Sequence, residues 1–128
     1  MDSIVHFELP ADNIERAKKF YKDNFGWNII TFGDLGYNMV QTGPTDDKGM
    51  HKDNKLPFIN GGVLKRQDCI QAPIITILVE DINKSIEKIS SSGGKLIKEP
   101  FKVGDMGISA YFQDTENNIL GLWQPLNI

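Results

Sequence analysis

Cysteine is nearly absent, long apolar runs are missing, and positive charge is never concentrated. Cys69 is the single cysteine among 128 residues, so no intrachain disulfide can form. Its only basic neighbour in sequence is Arg66, with no histidine close by, which marks a structural thiol and not a nucleophile. The longest apolar run, Ile74 to Val79 with Thr76 inside it, is far too short to span a bilayer. The opening Met-Asp-Ser-Ile-Val-His has neither the basic stretch nor the apolar run of a signal peptide, and a cytoplasmic location is expected. A net charge of -3, without a Lys/Arg cluster interleaved with aromatics, argues against nucleic acid as a partner. No Ser-His-Asp set, Cys-X-X-Cys pair or P-loop spacing is present.

What is present is an internal repeat. Shifted by 68 residues, His6-Phe-Glu-Leu falls on Ile74-Ile-Thr-Ile, Asn13-Ile14 on Asp81-Ile82, Tyr21 on Ile89 and Gly26 on Gly94. The spacing then drifts, and Gly33-Asp-Leu-Gly36 matches Gly104-Asp-Met-Gly107, read as a tight turn. Each half predicts a strand, a helix and three further strands. The first strands run Ser3 to Leu9 and Ile74 to Val79. Asp12-Asn13 and Asp81 open the helices, because their side-chain oxygens accept from free backbone N–H groups. Glu15 stands three after Asp12, in capping-box position. Ile14, Ala17, Tyr21 and Ile82, Ile86, Ile89 recur at helical spacing as the buried stripes. Gly26 and Gly93-Gly94 end the helices.

The later strands are expected at 27–32, 37–42 and 60–65, then at 95–98, 108–112 and 119–124. The fold class is therefore α+β: one domain over residues 1–128, built of two βαβββ modules at 1–66 and 73–128. Between strands, residues 43–58 form a polar loop long enough to serve as a lid or binding loop. Residues 66–73 connect the modules.

Particular residues resemble a known family: the opening His6-Phe-Glu-Leu-Pro-Ala-Asp, Phe20-Tyr21 with Phe25-Gly26-Trp27, Gly61-Gly62, and the closing Tyr111-Phe-Gln-Asp-Thr-Glu-Asn-Asn-Ile-Leu-Gly-Leu-Trp-Gln. Together they resemble the glyoxalase-like branch of the vicinal oxygen chelate superfamily, which also holds bleomycin-resistance proteins and dioxygenases. The resemblance implies two modules whose mixed sheet curls around one concave site. Metal-dependent members carry ligands on the first and last strand of each module. Here those positions hold His6 and Ile74 on the first strands, and Gly61 or Gly62 and Gly121 on the last. His6 is the only matching ligand position, while a catalytic metal needs about three protein ligands. No metal and no cofactor are therefore expected, with a divalent ion left open.

His6 and Glu8 are two apart on a strand and share a face, so they could act as a base and its orienting carboxylate. A histidine hydrogen-bonded at a strand edge is the plainer alternative. Gln41, Tyr111, Gln113 and Trp123 lie on strands expected to wall the site. Tyr111 and Gln113 share one face of their strand, and Ala110 and Phe112 the other. Glycine at the last-strand positions is expected to leave volume where a carboxylate would stand. The expected ligand contacts are His6, Glu8, Gln41, Gly62, Ile74, Tyr111, Gly121 and Trp123, and His51 is expected to be a solvated loop residue. The leading function is metal-free binding of a small organic molecule. The alternative is a glyoxalase-like lyase or isomerase, or a dioxygenase relative, using His6 with Glu8 or Gln41. A third possibility is a protein-binding module engaging through its sheet edge or the 43–58 loop. Exposed sheet edges suggest a homodimer.

Overall fold

The structure, a computed structural model, describes residues 1–31, 36–47 and 57–126. The expected loop residues 48–56, with His51, and the first part of the Gly33–Gly36 echo lie outside the described residues. The elements follow the repeat: β1 (Ile4–Ala11), α1 (Ile14–Phe25), β2 (Asn28–Thr31), β3 (Tyr37–Gln41), β4 (Gly61–Lys65), then β5 (Ile74–Leu78), α2 (Ile82–Ser91), β6 (Lys95–Val103), β7 (Gly107–Gln113) and β8 (Ile119–Pro125). The fold is α+β, two βαβββ modules of mixed sheet. No helix among the described residues is long and apolar enough to cross a membrane.

The chain divides into two compact units, His6–Pro73 and a second made of Ile74–Ile128 with Met1–Val5. In the first, strand order is β2-β3-β4-β1. Parallel β1 and β4 pair Phe7 with Gly61 and Glu8 with Gly62. Antiparallel β3 and β4 pair Met39 with Gly62 and Tyr37 with Leu64. Side chains alternate across a strand, so Leu9, Ala11, Val40 and Val63 face α1 and make a core with Ile14, Ala17 and Trp27. Tyr21 completes the helical stripe by stacking on Trp27 at 5.0 Å between ring centroids. Residues 66–73 belong to this unit and fold tightly. Gln67 and Ile70 exchange backbone hydrogen bonds, and Ile70 is buried.

In the second unit strand order is β5-β8-β7-β6, and Leu78 N–H donates to the Ser3 carbonyl. Val79, Ile82, Ala110, Phe112 and Leu122 form the core under α2, with Ile86 and Ile89 packed on it. Ala110 and Phe112 therefore face the helix, and Tyr111 and Gln113 the opposite side.

Two expectations need correction. Asn13, not Asp12, caps α1, its side chain accepting from Arg16 N–H. That places Glu15 one position too early for a capping box. Glu15 instead meets Lys18, and Asp12 accepts from Arg66 Nε at 3.1 Å. The strand expected to end at Lys98 runs on to Val103 through Pro100. It can do so because β6 is an outer strand of its unit, where the missing proline N–H costs no central ladder bond. Register shifts around Lys98 absorb the irregularity.

Candidate ligand-binding site

The helix-free face of the first unit carries its chemistry. His6 and Glu8 project there because Phe7 and Leu9, the intervening positions, are committed to the core under α1. On β3 the same face takes Tyr37, Met39 and Gln41, and on β4 it takes Gly62 and Leu64. Adjacent glycines on β4 admit two aromatic rings from opposite sides. A Cβ at Gly61 would lie 2.7 Å from the Phe7 ring, and one at Gly62 only 2.1 Å from the Tyr37 hydroxyl oxygen. Gly62, not Gly61, is thus the residue on the His6 side. The volume expected to stand empty above it is filled by the tip of Tyr37.

Tyr37 joins the two residues that the sequence singles out. Its hydroxyl lies 2.5 Å from His6 Nε2, and the two rings stack at 6.3 Å with 15° between their planes. The same hydroxyl hydrogen-bonds Glu8. Glu8 is 6% exposed. Burial lowers the His6 pKa from 6.5 to about 4, so the imidazole is neutral at pH 7. Burial, and then the Glu8 carboxylate, push the Tyr37 phenol well above its ordinary value, so it keeps its proton.

The other expected contacts have surroundings of their own. Gln41 shares the face of Tyr37, yet its amide oxygen accepts from Asn28 Nδ2 at 2.8 Å. Ile74, Tyr111, Gly121 and Trp123 lie on the helix-free face of the second unit. Ile74 is fully buried there, and Tyr111 stacks on Phe101 at 6.2 Å. Gly121, like Gly62, is not open: a Cβ there would meet Thr76 Oγ1 at 2.7 Å. Trp123 lies over Gly107. Tyr37 and Thr76 are the two residues missed by sequence reasoning. The signal for Tyr37 was its period-two spacing from Gln41 on one strand; for Thr76 it was the alignment of Glu8 with Thr76 in the repeat.

A surface cleft of about 440 Å³ runs along α1 and β2, lined by Lys18, Lys19, Lys22 and Trp27 among others. It holds none of the expected site residues. Its lysines are largely engaged within the helix, Lys18 with Glu15 and Lys19 with Asp23.

Metal ligation was tested against these donors. His6 Nε2 is occupied by Tyr37, Gly62 and Gly121 offer no side chain, and Ile74 cannot ligate. Among the described residues no group of three or more His, Cys, Asp or Glu side chains could hold a metal ion. The described residues do not fit the metal site that the resemblance to metal-dependent members implies.

Residues 3–43, from β1 through β3, match the family described as bleomycin resistance protein-like N-terminal. A glyoxylase-like domain-containing protein of Didymella fabae is 30% identical over 122 residues, covering 90% of this chain and 88% of the relative. The CFP32 protein of Mycobacterium bovis, whose name places it among the glyoxylases, is 26% identical over 91% of this chain; the chain spans 43% of that relative's length. Among solved structures, a hypothetical protein of Bacillus halodurans C-125 superposes with a TM-score of 0.69 at 13% identity, over 99% of this chain and 96% of that one. The methylmalonyl-CoA epimerase of Mycobacterium tuberculosis does so with a TM-score of 0.62 at 13% identity, over 95% and 87%. The chain belongs to the glyoxalase/bleomycin resistance protein/dioxygenase superfamily, the vicinal oxygen chelate proteins.

Proposed function

We propose that this protein binds a small, partly apolar organic molecule through the His6 face of its first module, without a metal ion. One observation carries the reading: the Tyr37 hydroxyl fills the space over Gly62 and holds His6 Nε2. A metal would have to displace Tyr37 from Nε2 or bind through Nδ1, and would still need about two further protein ligands. His6, held neutral by burial, shares its face with the apolar Met39 and Leu64 as well as with Glu8 and Tyr37, a mixture of polar and apolar groups that suits a small organic molecule. The lyase, isomerase or dioxygenase alternative needs Glu8 or Gln41 as a metal ligand. Glu8 bonds Tyr37, and Gln41 is tied to Asn28, so that reading has less support.

A homodimer belongs to the same proposal, although its physical basis is narrower than edge exposure alone suggests. β6 is blunted by Pro100, by Lys95, Lys98 and Lys102 and by its register shifts, all features that discourage edge pairing. The short β2 is the less protected edge of its own unit.

Scanning fluorimetry of chelator-treated protein, with metal-free bleomycin and with phenol as probes, tests the binding reading. Stabilisation that persists in chelator and disappears in His6→Ala is expected. Stabilisation that develops only after zinc is added would overturn the metal-free reading.

A further inference from the structure

We propose that the cleft between α1 and β2 is a second binding site, for a small organic phosphate whose phosphate group meets Lys18 and Lys22 and whose apolar part lies against Trp27 and Ile29. The cleft lies on the helix side of the first module, across the sheet from His6, so this site is independent of the one proposed above.

Its volume of about 440 Å³ falls within the roughly 300–1,000 Å³ usual for small-molecule sites. Three lysines line it against two carboxylates, Glu15 and Asp23, which leaves a positive surplus in a chain of net charge -3. The three lysines are not equivalent. Lys19 is closed off by Asp23 at 2.6 Å. Lys18 meets a carboxylate only at 3.5 Å, that of Glu15, whose side chain is 84% exposed, and so exposed an ion pair neutralises little. The Lys22 side chain has no hydrogen bond or ion pair among the described residues. It follows Lys18 by one helical turn, so the two cations are neighbours on one helix face.

Lys18 is also fixed in place. Its ammonium donates to the Thr31 hydroxyl at 2.5 Å, Thr31 donates to Asn38 Oδ1 at 2.6 Å, and Asn38 Nδ2 donates to the Val63 carbonyl at 3.0 Å. Asn38 is buried, so this row ties a cation at the cleft to the core. A free lysine gives up much rotamer freedom on meeting a ligand, and one already held gives up less. An ammonium has three protons; Thr31 and Glu15 take two of Lys18's, and the third is left for a ligand. The Trp27 ring is held as well, by its stacking on Tyr21 at 5.0 Å. A phosphate suits this pair better than a carboxylate. It brings up to two negative charges to two cations, and lysine binds it as a point charge, without the planar fork by which arginine matches a carboxylate. Lys22 lies in the last turn of α1, where a cation also complements the helix dipole. Lys88 holds the same place in α2, away from the cleft, and separates the two roles.

The test titrates phenyl phosphate, phenol and inorganic phosphate into the full chain carrying Trp123→Phe, which leaves Trp27 as the one tryptophan reporting from the cleft. Phenyl phosphate is expected to change Trp27 emission, and to bind at least about tenfold more tightly than phenol or inorganic phosphate. Lys22→Met, at an exposed position, and Lys18→Met should each weaken it at least about tenfold, while Lys88→Met and His6→Ala leave it unchanged. Calorimetry of the chain with Trp123 intact, with and without Lys22→Met, should repeat the difference. No binding of phenyl phosphate, or an equal loss in Lys88→Met and Lys22→Met, would overturn the site. Phenol or inorganic phosphate binding as tightly as phenyl phosphate would overturn the ligand class. A loss in His6→Ala without one in Lys22→Met would move the ligand to the His6 face, overturning the second site and supporting the first.

Discussion

Both modules place a glycine on their last strand, at the positions where the resemblance to metal-dependent members leads one to expect a carboxylate, and each fills the space above it from a different source. In the first, Gly62 pairs with Glu8 across the β1–β4 ladder and is covered by Tyr37 from the adjacent strand β3. In the second, Gly121 pairs with Thr76, the repeat's counterpart of Glu8, and Thr76 itself does the covering. The position beside Gly121 that corresponds to Tyr37 is Ser109, whose hydroxyl bonds the Leu122 carbonyl. One backbone plan thus supports a linked His6–Tyr37–Glu8 set in one module and a set of uncharged, locally satisfied residues, with Ile74 in place of His6, in the other. The two modules share a backbone plan and differ in the side chains that stand over their glycines.

Substitutions can break this asymmetry. The largest effect is expected at Gly62. Gly62→Glu restores a carboxylate but forces its Cβ into the Tyr37 hydroxyl, and such overpacking should cost about 3 kcal/mol in urea unfolding. If stability were unchanged, Tyr37 would not occupy that space.

Acidification should separate the modules next. The unfolded chain protonates His6 near 6.5 and the folded chain near 4. His6 therefore contributes stability that is fully present above about pH 6.5 and is lost as pH falls through 6.5 toward 4. Its share should be about 3 kcal/mol between pH 7 and pH 4. His6→Ile, which copies the second module, should remove this share of the acid sensitivity; an unaltered pH profile would mean that the imidazole is not buried.

Tyr37→Phe should cost about 2 kcal/mol, because it withdraws the phenol from both His6 and Glu8, and one removed partner of a buried polar group costs roughly 1–3 kcal/mol. The smallest effect is expected at Gly121→Ala, about 1 kcal/mol, since the obstructing atom is a threonine hydroxyl that can rotate away. A cost at Gly121 equal to that at Gly62 would remove the distinction between the modules.

Most of the fold was legible because the repeat states it twice. The capping residues, the helical spacing in α1 and α2, and the glycines that follow both helices are local signals, each present in both halves. The misses lay at the ends of elements. Asp12 and Asn13 are both good caps, and only the Asp12–Arg66 contact, 54 residues apart, decides between them. Pro100 looks like a strand end until its strand is known to be an outer one. The site was half legible. His6 and Glu8 are neighbours on one strand, so period two puts them together. Tyr37 reaches them from 31 residues away, through the β3–β4 register, which no local pattern encodes. The volume over Gly62 could not be judged from sequence either, because a glycine may mark a void or a neighbour's close approach, and here it marks the second.

Tyr37 fills the space over Gly62 and meets His6 Nε2, and the function proposed for this face is binding without a metal ion. Elemental analysis of protein purified and dialysed without chelator tests it most directly. The expected result is zinc, nickel, iron and manganese each far below one per chain, unchanged by His6→Ala. About one such ion per chain, lost on His6→Ala, would contradict it.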